Sequence, residues 1–263
     1  MTAVETLAVR PGHERRVPAE PMPLARLTDE ELVLLGSEHP AVVLPHYEEL
    51  SEAAQAVAVR TAHRSLLAHG AEPGADGRSV LVPQEVSDLL DVRHGAEWVL
   101  VVRRCHNVER DGATVSEVTT TYAHAVDDFA LLEQVGDDGV HEFHGLERRG
   151  LAGALQHRLT ASGVCEGRGD PVRLDLEAVA HGHGDVGLDR LGPIVVQIDA
   201  TVWRRGPQAA PVLLGVMLGA EGSWATRAAF GERGPVVLEP IGVGDVGGLV
   251  AGLLTTVVRS HRP

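Results

Sequence analysis

The apolar residues of this chain fall into short runs, most of them bounded by glycine, proline or aspartate. Runs of this length that are rich in valine, threonine and leucine are typical of short β-strands joined by tight turns, which pair antiparallel. The predicted strands are residues 79–82, 98–104, 115–125, 129–135, 140–143, 172–176, 194–203, 212–218, 224–230 and 236–239. We therefore expect an antiparallel sheet, with helices covering at least one face.

Helical features occupy the segments between and after these strands. Ser51 is placed to cap a helix that runs to residue 69, and Pro83 suits the first turn of a helix that continues to Leu90. Leucines 146, 151, 155 and 159 form a helical stripe, and residues 245–258 form the strongest amphipathic pattern in the chain. Thr28-Asp-Glu-Glu31 is a capping box, but the residues after it leave helix or strand open.

A repeat with an offset of about 95 residues relates the two parts of the chain. It places Val99 on Ile194 and Phe129 on Trp224, and after short slips Gly145 on Gly242 and Gly150 on Gly248. A period this long favours two copies of one small unit, closed over each other, rather than a solenoid. The sequence therefore predicts an internally duplicated, pseudo-two-fold α+β fold. Its expected parts are a flexible lead of residues 1–26, a first half of residues 27–160 and a second half of residues 161–263.

Composition restricts the chemistry. All 23 basic residues are arginine, which excludes lysine Schiff bases, pyridoxal phosphate attachment and the lysine of the phosphate-binding loop. A net charge of −14 argues against nucleic acid as a partner. No signal peptide pattern or long apolar run is present, and the two cysteines have no metal-site spacing. We expect a cytoplasmic protein without membrane insertion.

One glycine motif suggests a nucleotide site. Residues 242–247 match G-x-G-x-x-G between a predicted strand and a predicted helix. We assign no nucleotide site, because no further parallel strand with an acidic ribose ligand follows at the required spacing. A turn that needs glycine at positive φ is the preferred interpretation.

Two histidine clusters suggest a metal site. His181-Gly-His183 with Asp185 lies in a glycine-rich loop, and His141-Glu-Phe-His144 lies in a predicted strand. The second cluster is one residue short of the zinc-protease spacing, and strand alternation sends its two histidines to opposite faces. We predict no metal and no cofactor.

Three segments carry a resemblance to a known family. They are Leu27-Thr-Asp-Glu-Glu-Leu32 with Leu44-Pro45, the helix end Arg60-x5-Leu66-x3-Gly70, and Leu238-Glu-Pro-Ile-Gly242 with Leu249-Val-Ala-Gly-Leu-Leu254. The chain resembles the EspG family, which is associated with ESX (type VII) secretion in actinobacteria. It departs from that family in its longer N-terminal lead and its many histidines.

The resemblance implies a quasi-two-fold cytosolic chaperone or adaptor, not an enzyme. It would bind helical secretion substrates of the PE/PPE or WXG100 type before export. It implies contact through a loop after the first long strand and through the C-terminal helix, with these residues: Asn107, Val108, Glu109, Arg110, Asp111, Val250 and Leu254. The alternative interpretation is an ordinary hairpin and a helix that belongs to the core.

A different class of function stays open beside this one. A metal-dependent enzyme would use His181, His183 and Asp185, or His141, in a cleft between the two halves.

Overall fold

The strands form one ten-stranded sheet and a separate small hairpin in the computed structural model, which describes residues 22–77, 79–110, 112–174, 190–206, 211–229 and 236–260. The strands are β1 (Ala25–Thr28), β2 (Glu72–Pro73), β3 (Val80–Leu81), β4 (Trp98–Arg110), β5 (Ala113–Val126), β6 (Phe129–Val135), β7 (Val140–Glu147), β8 (Val172–Leu174), β9 (Ile194–Arg204), β10 (Val212–Gly219), β11 (Ser223–Ala229) and β12 (Val236–Pro240). The helices are α1 (Asp29–Leu34), α2 (Pro45–Glu48), α3 (Glu52–Ala68), α4 (Gln84–Gly95), α5 (Leu151–Leu159) and α6 (Val246–Ser260).

The sheet has the order β1-β7-β6-β5-β4-β9-β10-β11-β12-β8, and every neighbouring pair is antiparallel. β2 and β3 form the separate hairpin. Successive strands β4 to β7 and β9 to β12 form two meanders, since antiparallel neighbours need only a tight turn, and the two meanders meet at the β4–β9 pair. The prediction of an α+β fold with an antiparallel sheet and flanking helices is confirmed.

Local signals account for the helix starts. Thr28 Oγ1 accepts a hydrogen bond from the Glu31 amide at 3.3 Å, and Glu31 Oε2 accepts one from the Thr28 amide at 3.1 Å. This capping box is complete, and the element after it, which the sequence left undecided between helix and strand, is the helix α1. Ser51 caps α3 through the Ala54 amide, as predicted. Leu146 belongs to β7 rather than to the helical stripe.

The first ordered strand begins before the predicted start at Leu27. Ala25 and Arg26 already pair with Phe143 and Glu142 on β7. Main-chain hydrogen bonds of a sheet edge order a segment regardless of its side-chain polarity, which the sequence pattern could not show. Residues 1–21 of the predicted lead lie outside the described residues.

Both halves of the sheet show the same order of elements. Four consecutive strands, β4 to β7, lead into a single 3₁₀ turn and α5, and β9 to β12 lead into a 3₁₀ turn and α6. β4 and β9 pair at the centre, from Trp98 opposite Arg204 to His106 opposite Val196.

The side-chain faces correct the register of the predicted repeat. On β4, Leu100 and Val102 belong to the core beneath α5 and α6, and on β9 Val196 and Ile198 do. The offset of 95 placed Leu100 on Val195, which inverts the faces, because a one-residue shift turns every strand side chain over. The slips near the end were also wrong. The two 3₁₀ turns and helices correspond at a constant offset of 95, so that Leu151, Leu155 and Leu159 match Val246, Val250 and Leu254.

The glycines of the 242–247 motif do not have the predicted conformational role, but Gly247, the second residue of α6, has a packing role. Gly242 has φ of −72°, so no left-handed residue is needed there. A Cβ on Gly247 would instead meet the carbonyl oxygen of Ala152 and lie 2.6 Å from the Gln156 amide nitrogen. Glycine at 247 therefore lets α6 approach α5 closely.

Candidate functional site

The β4–β5 hairpin extends beyond the rest of the sheet. Its arms pair continuously from Trp98 opposite Ala125 to Arg110 opposite Ala113. On one side β9 pairs with β4 only as far as His106, and on the other β6 pairs with β5 only from Thr120 onward. Residues 107–119 are therefore a projecting two-stranded ribbon, whose described residues have no further strand on either edge.

Each face of this ribbon carries its own chemistry. Val108 and Val115 stand opposite each other, with 40% of Val115 exposed, and Arg110 forms an ion pair with Glu117 beside them. On the other face, Ser116 Oγ donates to Asn107 Oδ1 at 2.7 Å, and Asn107 Nδ2 donates to the Ile194 carbonyl at 3.2 Å. These cross-strand pairs hold the ribbon extended and leave an apolar pair near its tip.

The predicted binding loop lies on this ribbon. Asn107, Val108, Glu109 and Arg110 are the last four residues of β4, so this segment is part of the β4–β5 hairpin, which was the alternative interpretation. The strand continues because Ala113 to Ser116 pair with them residue by residue. Asp111 lies outside the described residues.

Val250 and Leu254 have a different position from the one predicted. They are 0% and 1% exposed and belong to the core between the sheet and the helices. This corrects their assignment to a binding surface, because a side chain without accessible area cannot contact a partner in this conformation. The outer side of α6 instead borders a cavity of about 540 Å³ that Gly153, Arg227, Asp245, Gly248 and Leu249 help to line.

A buried ionic cluster lies on the face of the first half that is turned away from α5 and α6. Arg93 on α4 contacts Glu133 on β6 through Nε at 2.8 Å and Nη2 at 3.0 Å. His124 Nε2 lies 2.7 Å from Glu133 Oε2, and His141 Nδ1 lies 2.7 Å from Glu133 Oε1. All four side chains are 0% exposed. Both oxygens of Glu133 thus have two partners each.

The cluster continues to α1. His141 Nε2 lies 2.7 Å from Asp29 Oδ1, while Asp29 Oδ2 accepts the amides of His46 and Tyr47 at 2.8 and 2.9 Å. Arg93 Nη1 also donates to the Ser37 carbonyl. The network therefore joins α1, the chain after it and α4 to three strands.

Geometry sets the protonation of this network. Both ring nitrogens of His141 face carboxylate oxygens, which only accept, so both nitrogens carry protons and the ring is an imidazolium. Burial alone would lower the pKa of His141, but the hydrogen bonds and charges of Asp29 and Glu133 raise it above its ordinary value. Burial would raise the pKa of Glu133, but His124, His141 and Arg93 hold it well below its usual range.

His39 borders the cluster, and its pKa moves in the opposite direction. Its ring centroid lies 5.4 Å from that of His124 and 5.0 Å from the Trp203 ring on β9, both edge-on. Burial, followed by the charges of His124 and Arg93, lowers the pKa of His39 to about 4. His39 is therefore neutral near pH 7, although it lies next to an ion network.

The structure bears on part of the metal hypothesis. His141 and His144 lie on opposite faces of β7, as alternation predicts, since His141 is level with Val135 and His144 with Leu132. Both nitrogens of His141 are bonded to carboxylates. Among the described residues, no three histidine, cysteine, aspartate or glutamate side chains are grouped to hold a metal ion. His181, His183 and Asp185 lie outside that part of the chain.

Our sequence reasoning missed the ionic cluster. The available signal was a charged or imidazole side chain at a position that alternation assigns to a buried face, as with Glu133 between Leu131 and Val135. Such residues are rare in a core unless they are paired.

No protein-family model matches the chain, and no curated protein matches it. The resemblance to the EspG family therefore stays a prediction. Within the described residues, none of the helices has the length and apolar character needed to cross a bilayer.

Proposed function

We propose that this protein is a non-catalytic adaptor of the EspG type, which binds helical secretion substrates of the PE/PPE or WXG100 type in the cytoplasm and keeps them in solution. The observation that carries the proposal is the ribbon of residues 107–119 that projects from the sheet. Isolated two-stranded hairpins are marginally stable, so the projecting part of the ribbon adds little to the stability of the sheet. Binding of a partner protein accounts for the projection.

The face of the ribbon that carries Val108 and Val115 is suited to contact with a helical partner. This apolar pair, with Arg110 and Glu117 beside it, suits the apolar stripe and charged border of an amphipathic helix. Arg104, on the same face of β4, donates to the Leu159 carbonyl at the end of α5 at 3.4 Å. The valine pair and α5 thus lie on the same side of the sheet, where a substrate that contacts the ribbon meets the outer surface of the helix layer.

The proposal includes an internal duplication. The repeated order of four strands, 3₁₀ turn and helix supports it, as does the match of Leu151, Leu155 and Leu159 to Val246, Val250 and Leu254. A duplicated unit whose copies share a central strand pair gives a single sheet with two long helices on one face.

Co-expression with candidate substrates tests the function. The protein is produced together with each PE/PPE or WXG100-type pair encoded near its gene, and the complex is isolated by size exclusion. We expect a stable complex with at least one pair and at least a tenfold weaker one for V108D/V115D. Failure of every pair to bind overturns the proposal.

A matched control separates the ribbon contact from folding. Glu109 and Thr114 stand opposite each other on the other face, so E109A/T114A is expected to bind as the wild type does. Equal binding by V108D/V115D and the wild type would remove the ribbon from the interface.

A further inference from the structure

A groove lies between α1, α3 and the β2–β3 hairpin, on elements separate from the β4–β5 ribbon. Its volume is about 630 Å³, and its lining includes Leu34, Val57, Val59, Arg60, His63 and Arg64. Most of these residues come from α3, whose inner side packs on α1 through Ala62 and Leu66. The groove therefore follows the outer flank of α3.

The floor of this groove is apolar and open. Val57, in the 17-residue helix α3, is 52% exposed, and Val59 and Leu34, which also line the groove, are half-buried. An exposed valine alone is ordinary, but one that adjoins further apolar side chains in a concave surface is typical of an interaction site.

The border of the groove is basic, in a chain with a net charge of −14. Arg60 and Arg64 lie one turn apart on α3, and within the described residues neither has an ion pair. Arg64 Nη2 donates to Thr61 Oγ1 at 3.5 Å, which is its one side-chain hydrogen bond within the part of the chain that the structure describes.

The nearby acidic side chains of α1 are already engaged. Glu31 accepts from the Thr28 amide and from Ser65 Oγ, and Glu30 lies 3.8 Å from His46 Nε2. The two arginines are therefore available to carboxylates from outside.

We propose that this groove is the docking site for an acidic amphipathic helix of a partner protein. The helix would place its apolar stripe over Val57 and its carboxylates beside Arg60 and Arg64, which lie at i+3 and i+7 from Val57 on the same face of α3. Arginine pairs well with carboxylates because its planar fork donates two parallel hydrogen bonds. Because α3 is about 25 Å long at 1.5 Å per residue, a partner helix of four to five turns fits along it.

Two labelled peptides test this proposal on the full-length protein. Both are 18-residue helices with leucine at i, i+3, i+4 and i+7, one with glutamate and the other with lysine at the flanking positions. Fluorescence anisotropy at low ionic strength is expected to show at least tenfold tighter binding of the glutamate peptide, and this preference weakens in 1 M NaCl. Equal affinity for both peptides overturns the proposal.

Variants locate the peptide. V57D and R60E/R64E are each expected to weaken binding of the glutamate peptide at least tenfold, while the lysine peptide gains affinity for R60E/R64E. V237D, at a valine on β12 that is 45% exposed, is the matched control and leaves binding unchanged. An unchanged affinity of V57D for the glutamate peptide overturns the proposal, and circular dichroism confirms that each variant is folded.

Two further measurements test whether residues 1–21 occupy the groove and whether binding at the groove is independent of the proposed adaptor function. If the full-length chain binds weakly and a chain lacking residues 1–21 binds tightly, that segment is the occupant and the partner proposal is wrong. V108D/V115D is expected to bind the glutamate peptide normally, so that failure of the groove and failure of the proposed adaptor function give different results.

Discussion

In the first half of the sheet, the face turned away from α5 and α6 carries Glu133 and His141 beneath α1 and α4, whereas the corresponding strands of the second half carry Trp224 and Leu238. Glu133, His141 and Leu238 are all 0% exposed. The two halves thus have the same strand order, but on this face the first half buries an ion network and the second half buries an apolar cluster. The comparison shows that topology fixes which positions are buried, and leaves the chemistry at those positions to the elements that cover them.

The ion network and the apolar cluster respond differently to mutation. A buried ion network must overcome the cost of removing charges from water, and it stabilises the fold only when every member is paired. An apolar cluster loses contacts in proportion to the atoms removed, and similar side chains replace one another with small losses. The first half should therefore be sensitive to single changes of charge, and the second half to changes of volume.

The largest expected effect follows from removing the centre of the network. Glu133→Ala leaves Arg93 and His141 without their shared carboxylate, so we expect the free energy of unfolding to fall by about 3–5 kcal/mol. Urea titration measures it. Glu142→Ala is the matched control, because that glutamate is partly exposed and pairs with Arg26 at 2.7 Å, and it should cost less than about 1 kcal/mol. Equal losses for the two variants would contradict the special role of the cluster.

A smaller effect is expected in the second half. Leu238→Ala removes a fully buried side chain from the cluster with Val172 and Trp224, at an expected cost of about 3 kcal/mol. Leu238→Met keeps the volume and should cost less than about 1.5 kcal/mol. A loss from Leu238→Met as large as that from Leu238→Ala would show that volume does not govern this end of the sheet.

The smallest effect is the pH dependence of the first half. Because the folded-state pKa of His141 lies above its ordinary value of 6.5, its stabilisation is complete below pH 6.5 and is lost as pH rises through the folded-state pKa. The imidazolium of His141 keeps its two carboxylate partners only while it is charged, so its deprotonation removes both ion pairs. The free energy of unfolding, measured in urea from pH 6 to 9, should therefore fall with rising pH.

Two variants test whether His141 causes this decline in the free energy of unfolding with rising pH. His141→Gln is expected to lose most of the alkaline decline, whereas Leu238→Ala keeps the slope of the wild type. A decline that persists unchanged in His141→Gln would place its origin elsewhere in the molecule.

Local sequence signals determined the elements and the fold class. The capping residues Thr28 and Ser51 and the strand alternation act within a few residues, where chain geometry alone decides the outcome. The sequence indicated residues 107–111 as a binding loop or an ordinary hairpin, but not the projection of the ribbon, because its extension depends on where the neighbouring strands stop pairing.

Tertiary structure alone decided which side chains meet. The ionic cluster brings Asp29 against His141, which lie 112 residues apart, and no local pattern encodes a contact of that range. The burial of Val250 and Leu254, the corrected register of the two halves and the need for glycine at 247 have the same origin. The sequence determined by itself the antiparallel α+β class and the position of most elements, because hydrogen bonding and alternation are local, and packing between distant segments decided which faces are buried and which remain open.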